Sequence, residues 1–309
     1  MKKKICVVFT GGTIGSNVFD GVVKLDNHSC DNLIDRYIEK YGEDISFDTI
    51  SLLDFHSENL KEEYLYKMVE FLRGYDCEKV DGIILTHGTD TLDFTACYLS
   101  YVLSLSVPVV LVSANYPIDD ERSNGFMNFL GAVEFIEKLN KRGVYVSFQN
   151  EGECVKIHDG AKLFPIREFT GRLDSAKGVV CKISDGVEIC EEYVSAEKPY
   201  FENYVLKKDV VVVNSHGLLD FSYRKFKKKP RAVVLSTYHS GTICVEGEEL
   251  NALRYIAYCN KKKVPVILSG VEKDGNLYQS ATKIKGCTIA YDKTLTECVV
   301  LAMLTDKIC

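Results

Sequence analysis

The chain has 309 residues, of which 46% are hydrophobic and 27% are charged. This length suffices for roughly two domains of about 100 to 200 residues, each able to bury its own core. The formal net charge of -6 gives the chain no general attraction to nucleic acid or to an anionic membrane surface, so we expect a small-molecule substrate, no nucleic-acid partner and no membrane partner.

The 12 cysteines are scattered, and no C-x-x-C, C-x-x-H or H-E-x-x-H spacing gathers metal ligands. Several of them lie in apolar runs, where cysteine acts as a small buried hydrophobe: Cys6, Cys97, Cys259 and Cys298. A reduced, cytoplasmic protein without a metal is therefore expected. The apolar run that follows the N-terminal lysines is too short for a signal-peptide core, and no apolar run approaches the length of a membrane span.

The first half of the sequence alternates short apolar runs with helical patterns. Strands are predicted at 4–9, 46–53, 82–86, 108–113 and 143–148. Residues 65–72 carry apolar side chains at helical spacing, and Asn59 followed three residues later by Glu62 is typical of a helix start. This alternation predicts an α/β fold with a doubly wound, mostly parallel sheet.

Beyond residue 178 the pattern changes. Two alternating runs, 179–183 and 187–189, flank Ser184-Asp185-Gly186 and predict a hairpin at the edge of the sheet. The polar segment 191–208 is predicted to be a linker between a larger N-terminal catalytic domain at 1–190 and a smaller C-terminal α/β domain at 209–309. The smaller domain is predicted to hold strands near 209–214, 231–236, 264–269 and 287–290, with helices near 247–260 and 294–304.

Polar residues follow four of the predicted strands, at 10–14, 56–59, 86–91 and 113–115. Because ligands bind outside the carboxyl ends of the strands in an open parallel sheet, these turns are expected to line one crevice. The sequence has no G-x-G-x-x-G, no P-loop and no G-x-S-x-G, which disfavours dinucleotide, phosphate-loop and serine-hydrolase sites. Two structural alternatives stay open: a glycine turn required only by strand geometry, and a helix cap within 89–91.

Two hexapeptides carry a resemblance to a known family. TGGTIG at 10–15 and THGTDT at 86–91, with Ser57-Glu58-Asn59 between them and RSNG at 122–125 before Asn128, resemble the bacterial-type L-asparaginases, especially the cytosolic type I branch. The similarity is clear over residues 4–140 and weaker to residue 185. Two separate motifs in the right order make it specific.

The resemblance implies the roles of individual residues. Catalytic roles fall on Thr13, Thr89, Asp90 and Lys162. Thr13 is the implied nucleophile, while Ser57 and Asp90, with Glu58 beside them, are implied to bind the charged groups of the amino acid. A threonine hydroxyl needs a nearby base, and a partly desolvated lysine can accept a proton. The resemblance implies no cofactor, and it implies that the protein forms a homodimer or a homotetramer.

The implied reaction is cleavage of the side-chain amide of L-asparagine to L-aspartate and ammonia through a threonine acyl-enzyme. One departure bears on it, because the family carries a tyrosine on the loop after the first motif and this chain has none before Tyr37. Phe19 and Val22 lie nearest the expected place, and Tyr278 is our candidate for a replacement.

Three hypotheses follow. The first is an intracellular asparaginase, or a relaxed enzyme that also takes glutamine. The second is a catalytically weakened asparaginase-like protein that binds a small amino acid. The third is an amidotransferase subunit that supplies ammonia for tRNA-linked chemistry. We rank it last because such subunits resemble this family but usually add an N-terminal domain, whereas this chain is expected to start at its first strand. Asparagine and glutamine differ by one methylene, worth only about 1 to 3 kcal/mol in a pocket, so the sequence leaves that preference open.

Overall fold

A computed structural model describes residues 2–19, 22–25, 28–184, 187–189, 193, 198–275 and 278–306. The chain divides into two compact units, which we call unit 1 (Met1–Glu202) and unit 2 (Asn203–Cys309). The predicted domains 1–190 and 209–309 with a linker at 191–208 stay a prediction, because much of 190–197 lies outside the described residues.

Unit 1 is built on an eight-stranded sheet of order β10-β9-β8-β7-β6-β5-β1-β4. The strands of the unit are β1 (Lys3–Gly11), β2 (Ser16–Phe19), β3 (Val22–Leu25), β4 (Ile45–Phe55), β5 (Gly82–Thr86), β6 (Pro108–Val112), β7 (Gly143–Gln149), β8 (Val155–Asp159), β9 (Cys181–Ile183) and β10 (Val187–Ile189). Strands β4, β1, β5, β6 and β7 run parallel, and β8, β9 and β10 add antiparallel pairs. All strands predicted for the first half are confirmed, whereas β8 and the separate β2–β3 pair were not predicted.

The described part of unit 1 holds four α-helices: α1 (His28–Tyr41), α2 (Glu62–Gly74), α3 (Leu92–Val102) and α4 (Gly125–Lys138). Leu33 of α1 and Phe129 of α4 share one core with Val7 of β1. The next side chain along β1, Val8, points to the opposite face and is also fully buried. Because parallel strands are buried on both faces when helices cover each side, the doubly wound α/β prediction is confirmed.

Two local predictions can be compared with this structure. The helix start predicted at Asn59 is wrong: Ser57–Asn59 is a short 3₁₀ turn, and α2 begins at Glu62 after an extended Lys61. The predicted hairpin is confirmed by the antiparallel pairing of β9 with β10, while its turn residues Asp185 and Gly186 lie outside the described residues.

Unit 2 holds a four-stranded parallel sheet of order β11-β12-β13-β14. Its elements are β11 (Val210–Val213), β12 (Ala232–Ser236), α5 (Ala252–Lys261), β13 (Val266–Val271), β14 (Thr288–Tyr291) and α6 (Leu295–Leu304). The helix predicted near 247–260 starts later, because the Asn251 side chain accepts a hydrogen bond from the Leu253 N–H and caps α5. The second α/β fold predicted for this part is confirmed.

Several compositional expectations can be checked on the described residues. The cysteines predicted to be buried hydrophobes, Cys6, Cys97, Cys259 and Cys298, are buried. The nine cysteines whose side chains the structure describes are free thiols, and the described ranges hold no group of three or more His, Cys, Asp or Glu side chains arranged for a metal ion. Within the same ranges, no helix has the length and apolar character that a membrane span requires.

Candidate active site

The turn after β1 depends on two glycines in the left-handed region. Gly11 has φ +98° and Gly12 has φ +87°, conformations that side chains with a Cβ rarely adopt. Thr13 then begins a 3₁₀ turn, in which the Ser16 hydroxyl donates to the Gly12 carbonyl at 2.9 Å. Thr13 is partly exposed and its neighbour Ile14 is buried, so the turn is anchored in the core while its hydroxyl residue stays accessible.

Close backbone packing brings three of the predicted turns together. A Cβ placed on Gly12 would lie 2.4 Å from the Gly88 nitrogen, and a Cβ placed on Gly88 would lie 2.4 Å from the Ser57 hydroxyl oxygen. A real Cβ cannot approach so closely, so only glycine permits this packing. The turns that carry Thr13, Ser57 and Thr89 therefore meet, as the sequence predicted for the carboxyl ends of adjacent strands.

Ser57 and Asp90 are in direct contact. The Asp90 N–H donates to the Ser57 hydroxyl at 3.2 Å, and that hydroxyl lies 3.5 Å from the Asp90 carboxylate. Thr91 holds the position before α3, but its hydroxyl donates to the Ser57 carbonyl at 3.0 Å and makes no capping bond to the helix. Thr91 therefore does not cap α3 with its side chain. Glu58 is exposed, with its carboxylate 3.5 Å from the Asn59 side-chain amide.

A buried pair of threonines fixes the two hydroxyl-bearing turns relative to each other. Thr10, near the end of β1, donates its N–H to the Thr86 hydroxyl at 3.1 Å and its hydroxyl to the Thr86 carbonyl. Both side chains are almost fully buried. Sequence reasoning missed this pair, although a threonine at the end of each of two neighbouring strands was the available signal.

His87 is a structural residue of the second turn. It is fully buried, with Nδ1 2.8 Å from the Gly88 carbonyl oxygen and its ring edge-on to Phe55. Burial lowers its pKa to about 4, against the opposing effect of the bond to Gly88, so the imidazole is neutral at pH 7.

Lys162 is buried at the end of a short turn that follows β8. The turn packs on α3, because a Cβ on Gly160 would lie 3.0 Å from the Ala96 carbonyl oxygen and 2.9 Å from the Ser100 hydroxyl. Asp159 accepts a hydrogen bond from the Ala161 N–H at 2.9 Å and forms an ion pair with Lys198. Burial favours the neutral acid, but Lys198 and the hydrogen bonds outweigh it and hold the pKa of Asp159 below its ordinary value.

A cavity of about 850 Å³ opens at the Thr89 turn. Thr89 and Asp90 line it together with residues from 115–116, 121–124, 149–152 and 165–171. The other predicted site residues, Thr13, Ser57, Glu58 and Lys162, are not among its lining residues. The structure thus joins Thr13, Ser57, Thr89 and Asp90 through turn packing, and places Lys162 along α3, outside this cavity wall.

The basic residues of the cavity wall are arginines. Arg122 is paired with Asp120 at 2.6 Å and lies over the Tyr116 ring, and Arg167 is 3.4 Å from Asp174. Arginine stays protonated in proteins and cannot act as a general base. Among the described lining residues there is no lysine, so the amine that the resemblance implies beside Thr89 is not part of this wall.

The residues near the expected tyrosine position and the candidate replacement, Tyr278, are described to different extents. Phe19 and Val22 lie on β2 and β3, which pair antiparallel, and their side chains are outside the described part. Tyr278 belongs to unit 2, where it is 60% exposed and lines a cavity of about 250 Å³ with His239 and Glu272.

Comparisons with known proteins agree with these observations. A family profile described as "Asparaginase, N-terminal" matches residues 4–166, more than half of the chain. The chain is 26% identical over 311 residues to a glutamyl-tRNA(Gln) amidotransferase subunit of Methanococcus vannielii, covering 92% of this chain and 69% of that protein. It is 32% identical over 153 residues to a probable periplasmic L-asparaginase of Haemophilus influenzae, covering 48% of this chain and 43% of that protein.

A solved structure extends the similarity over both units. The probable cytoplasmic L-asparaginase of Campylobacter jejuni matches with a TM-score of 0.74 and 22% identity, covering 99% of this chain and 96% of that chain. Identity this low shows a shared fold. Together with the profile match over 4–166, where the glycine-rich turns and the Thr89 turn lie, it places the chain in the asparaginase family.

Proposed function

We propose that this chain is an amidohydrolase that cleaves the side-chain amide of L-asparagine to L-aspartate and ammonia through an acyl-enzyme on Thr13. The observation that carries the proposal is the contact of three turns, in which Gly12 packs on Gly88 and Gly88 on Ser57. The turns that carry Thr13, Ser57 and Thr89 then lie together at the carboxyl ends of parallel strands.

In this proposal Thr13 Oγ attacks the amide carbon and backbone N–H groups of the glycine-rich turn stabilise the oxyanion. Each such donor can contribute about 3 to 4 kcal/mol to transition-state stabilisation, and two glycines allow the backbone to approach the substrate. Ammonia leaves, and water then cleaves the ester. Glutamine would undergo the same chemistry, so a relaxed asparaginase/glutaminase is included.

The remaining residues take supporting roles in this proposal. Ser57 and Asp90, which contact each other, bind the α-carboxylate and α-ammonium groups, with Glu58 beside them. Thr89 acts with Asp90 and Lys162 in proton transfer. The buried position of Lys162 against α3, the helix that begins just after Thr89, supports this pairing only indirectly.

The experiment that tests the proposal is ammonia release by purified protein. We expect release from asparagine by the wild type, and a loss of several orders of magnitude in kcat for Thr13→Ala, because a covalent mechanism has no substitute nucleophile. Thr49→Ala, which removes a threonine on β4 of the same unit, is the control and should keep wild-type turnover. Turnover by Thr13→Ala equal to that of the wild type would rule out Thr13 as the nucleophile.

A specific observation favours a second candidate, a catalytically weakened protein that binds a small amino acid. The described wall of the Thr89 cavity contains arginines but no lysine. A protein of this kind would bind asparagine or aspartate, measured by calorimetry, and release ammonia at no more than the uncatalysed rate.

The Methanococcus vannielii relative favours a third candidate, an amidotransferase subunit, because its similarity covers 92% of this chain. This chain covers 69% of that relative's length, so the activity of the whole relative is only a candidate for this chain. Ammonia release that depends on an added glutamyl-tRNA(Gln) amidotransferase partner would favour it over the first candidate.

Location and assembly complete the proposal. We propose a cytoplasmic location, supported by the nine free cysteines whose side chains the structure describes and by the Campylobacter protein, which is named as probable cytoplasmic; the Haemophilus relative is named as probable periplasmic. A homodimer or homotetramer remains our proposal, tested by light scattering. No cofactor enters the proposed reaction.

A further inference from the structure

Residues 164–174 form an arm that turns back on itself beside the Thr89 cavity. The Phe164 N–H donates to the Asp174 carbonyl at 3.0 Å, and the Arg167 N–H donates to the Arg172 carbonyl at 3.1 Å. Beyond the Arg167–Arg172 bond the chain reverses through residues 168–171. Residues 165–171 line the cavity. The arm is therefore one wall of the cavity that Thr89 and Asp90 also line, and Asp90 is one of the residues proposed to bind the substrate.

The base of the arm is held firmly. Asn150 and Leu173 exchange two buried hydrogen bonds, from the Asn150 side-chain amide to the Leu173 carbonyl and from the Leu173 N–H to the Asn150 side-chain oxygen, each 3.0 Å long. The Arg172 guanidinium adds an ion pair to Glu153 at 2.6 Å. These bonds fix residues 172–174, at the end of the arm that returns to the sheet.

The reversing segment has a different attachment. Asn115, which follows β6 and lines the cavity, donates its side-chain amide to the Gly171 carbonyl at 3.0 Å. Gly171 has φ +60°, and a Cβ there would lie 2.7 Å from that amide nitrogen, so the peptide of Gly171 packs directly on the Asn115 side chain. This bond joins two walls of the same cavity.

Asn115 is itself held in place. Its N–H donates to the Asn124 side-chain oxygen at 2.9 Å, and the Asn124 amide donates to the Gln149 carbonyl at 2.9 Å. Asn124 precedes α4 and Gln149 ends β7, so the chain of bonds runs from the sheet through Asn124 to Asn115 and then to the arm.

We infer that Asn115 is a positioning residue that clamps the arm 164–174 in its substrate-binding position; this rests on the proposed function. The clamp sets the distance between the 115–124 wall and the arm, and with it the fit of the substrate. Thr13 and Thr89 lie on other turns, so the chemical step does not depend on the clamp.

The test compares Asn115→Ala with Asn260→Ala. Asn260 makes the same kind of bond in unit 2, from its side-chain amide to the carbonyl of Gly286 at 2.8 Å, where Gly286 has φ +78°. For Asn115→Ala we expect KM to rise by about 3- to 10-fold with kcat within about twofold, the effect of one lost hydrogen bond on binding alone. Asn260→Ala should leave both constants unchanged.

A second readout does not require catalysis. Arg167 is exposed on the arm, so a released arm should be cut faster by trypsin after Arg167 in Asn115→Ala, by about 3- to 10-fold, and at the wild-type rate in Asn260→Ala. If Asn115→Ala does not fold, Asn115→Asp, which keeps the shape and removes the donor, is measured in its place and should show the same changes.

The two readouts separate the two proposals. Wild-type cleavage at Arg167 together with an unchanged KM in the Asn115 variants would overturn the clamp. A wild-type protein that releases no ammonia, combined with faster cleavage at Arg167 in the Asn115 variants, would overturn the proposed function and leave the clamp standing.

Discussion

In both units, hydroxyl side chains join the ends of two neighbouring parallel strands in the same way. Among the described residues, only unit 1 then packs the following turns closely against each other. In unit 1, Thr10 bonds Thr86 through both its N–H and its hydroxyl. In unit 2, Ser215 bonds Ser236 in the same two ways, with its N–H 2.8 Å from the Ser236 hydroxyl. A hydroxyl pair that joins two strand ends is therefore no sign of function by itself.

The difference lies in the turns that follow these pairs. His87 and His216 each place Nδ1 within 3 Å of the next glycine carbonyl, at 2.8 Å and 2.9 Å. His87 is buried and Gly88 packs on Ser57, whereas His216 is less buried and a Cβ on Gly217 would meet nothing within 4 Å. Close contact between turns, rather than the type of residue in them, is what gathers the proposed site in unit 1.

The largest expected effect comes from breaking that contact. Gly12→Ala adds a Cβ 2.4 Å from the Gly88 nitrogen at a backbone φ of +87°, so the Thr13 turn must move. A displacement of about 1 Å at a reacting group can cost about 10²-fold in rate, and we expect at least that loss in kcat. Gly217→Ala in unit 2 should leave turnover unchanged, and ammonia release measures both.

A Gly12→Ala protein that is folded by circular dichroism and keeps wild-type turnover would break the comparison, because close packing would then be unnecessary.

The proton-transfer pair is tested by a double-mutant cycle. Thr89→Val and Lys162→Met should each lower kcat by about 10²- to 10⁴-fold, the usual contribution of a positioned acid or base. If the two act as one unit, the double variant should be little worse than either single variant. Additive losses would remove Lys162 from the site, in line with its absence from the described lining of the Thr89 cavity.

Acid sensitivity is expected to depend on the buried histidine of unit 1. Burial lowers the pKa of His87 from 6.5 to about 4, so the unfolded chain binds more protons between these values and stability falls as pH falls through that window. One group with such a shift accounts for up to about 3 kcal/mol. Thermal unfolding of His87→Gln should therefore depend less steeply on pH than that of the wild type.

His158 shares the acid sensitivity, since burial lowers its pKa to about 4 as well, so the slope should be reduced rather than abolished. His216→Gln, which replaces an imidazole that is not buried, is the control. Identical slopes for His87→Gln and the wild type would show that His87 is already charged or accessible in the folded protein.

The last of these predictions concerns the missing loop tyrosine. If Tyr278 replaces it, Tyr278→Phe should lower kcat by about 10²-fold, the lower end of a proton-transfer contribution, and Tyr223→Phe, which alters another exposed tyrosine of unit 2, should not. If nothing replaces it, wild-type turnover should be slow and Val22→Tyr should raise it. A fast wild type that is unaffected by Tyr278→Phe would exclude the candidate.

The sequence predicts the fold and the meeting of the turns well, because strand periodicity and glycine conformation are local properties. The parallel strands of unit 1 were all predicted, and so was the position of the polar turns at one end of the sheet. By contrast, the sequence did not predict β8. Its residues Val155–Asp159 mix charged and apolar side chains, and the strand pairs antiparallel with β7.

The parts of the site that could not be predicted depend on tertiary packing. The side of α3 that Lys162 occupies is set by the contact of Gly160 with Ala96 and Ser100, which are far away in the sequence. The bond from Asn115 to Gly171 likewise joins residues 56 positions apart, and no local pattern encodes it. A motif identifies residue types, whereas these distances follow from the assembled sheet and helices.

The central claim is that Thr13 carries the acyl group, and the most direct measurement is to trap it. Protein mixed with asparagine is quenched in acid within milliseconds, digested and examined by mass spectrometry. We expect an aspartyl ester on the peptide that contains Thr13, present in the wild type and absent in Thr13→Ala. An ester on the Thr89 peptide instead, or ammonia release by Thr13→Ala at the wild-type rate, would contradict this claim.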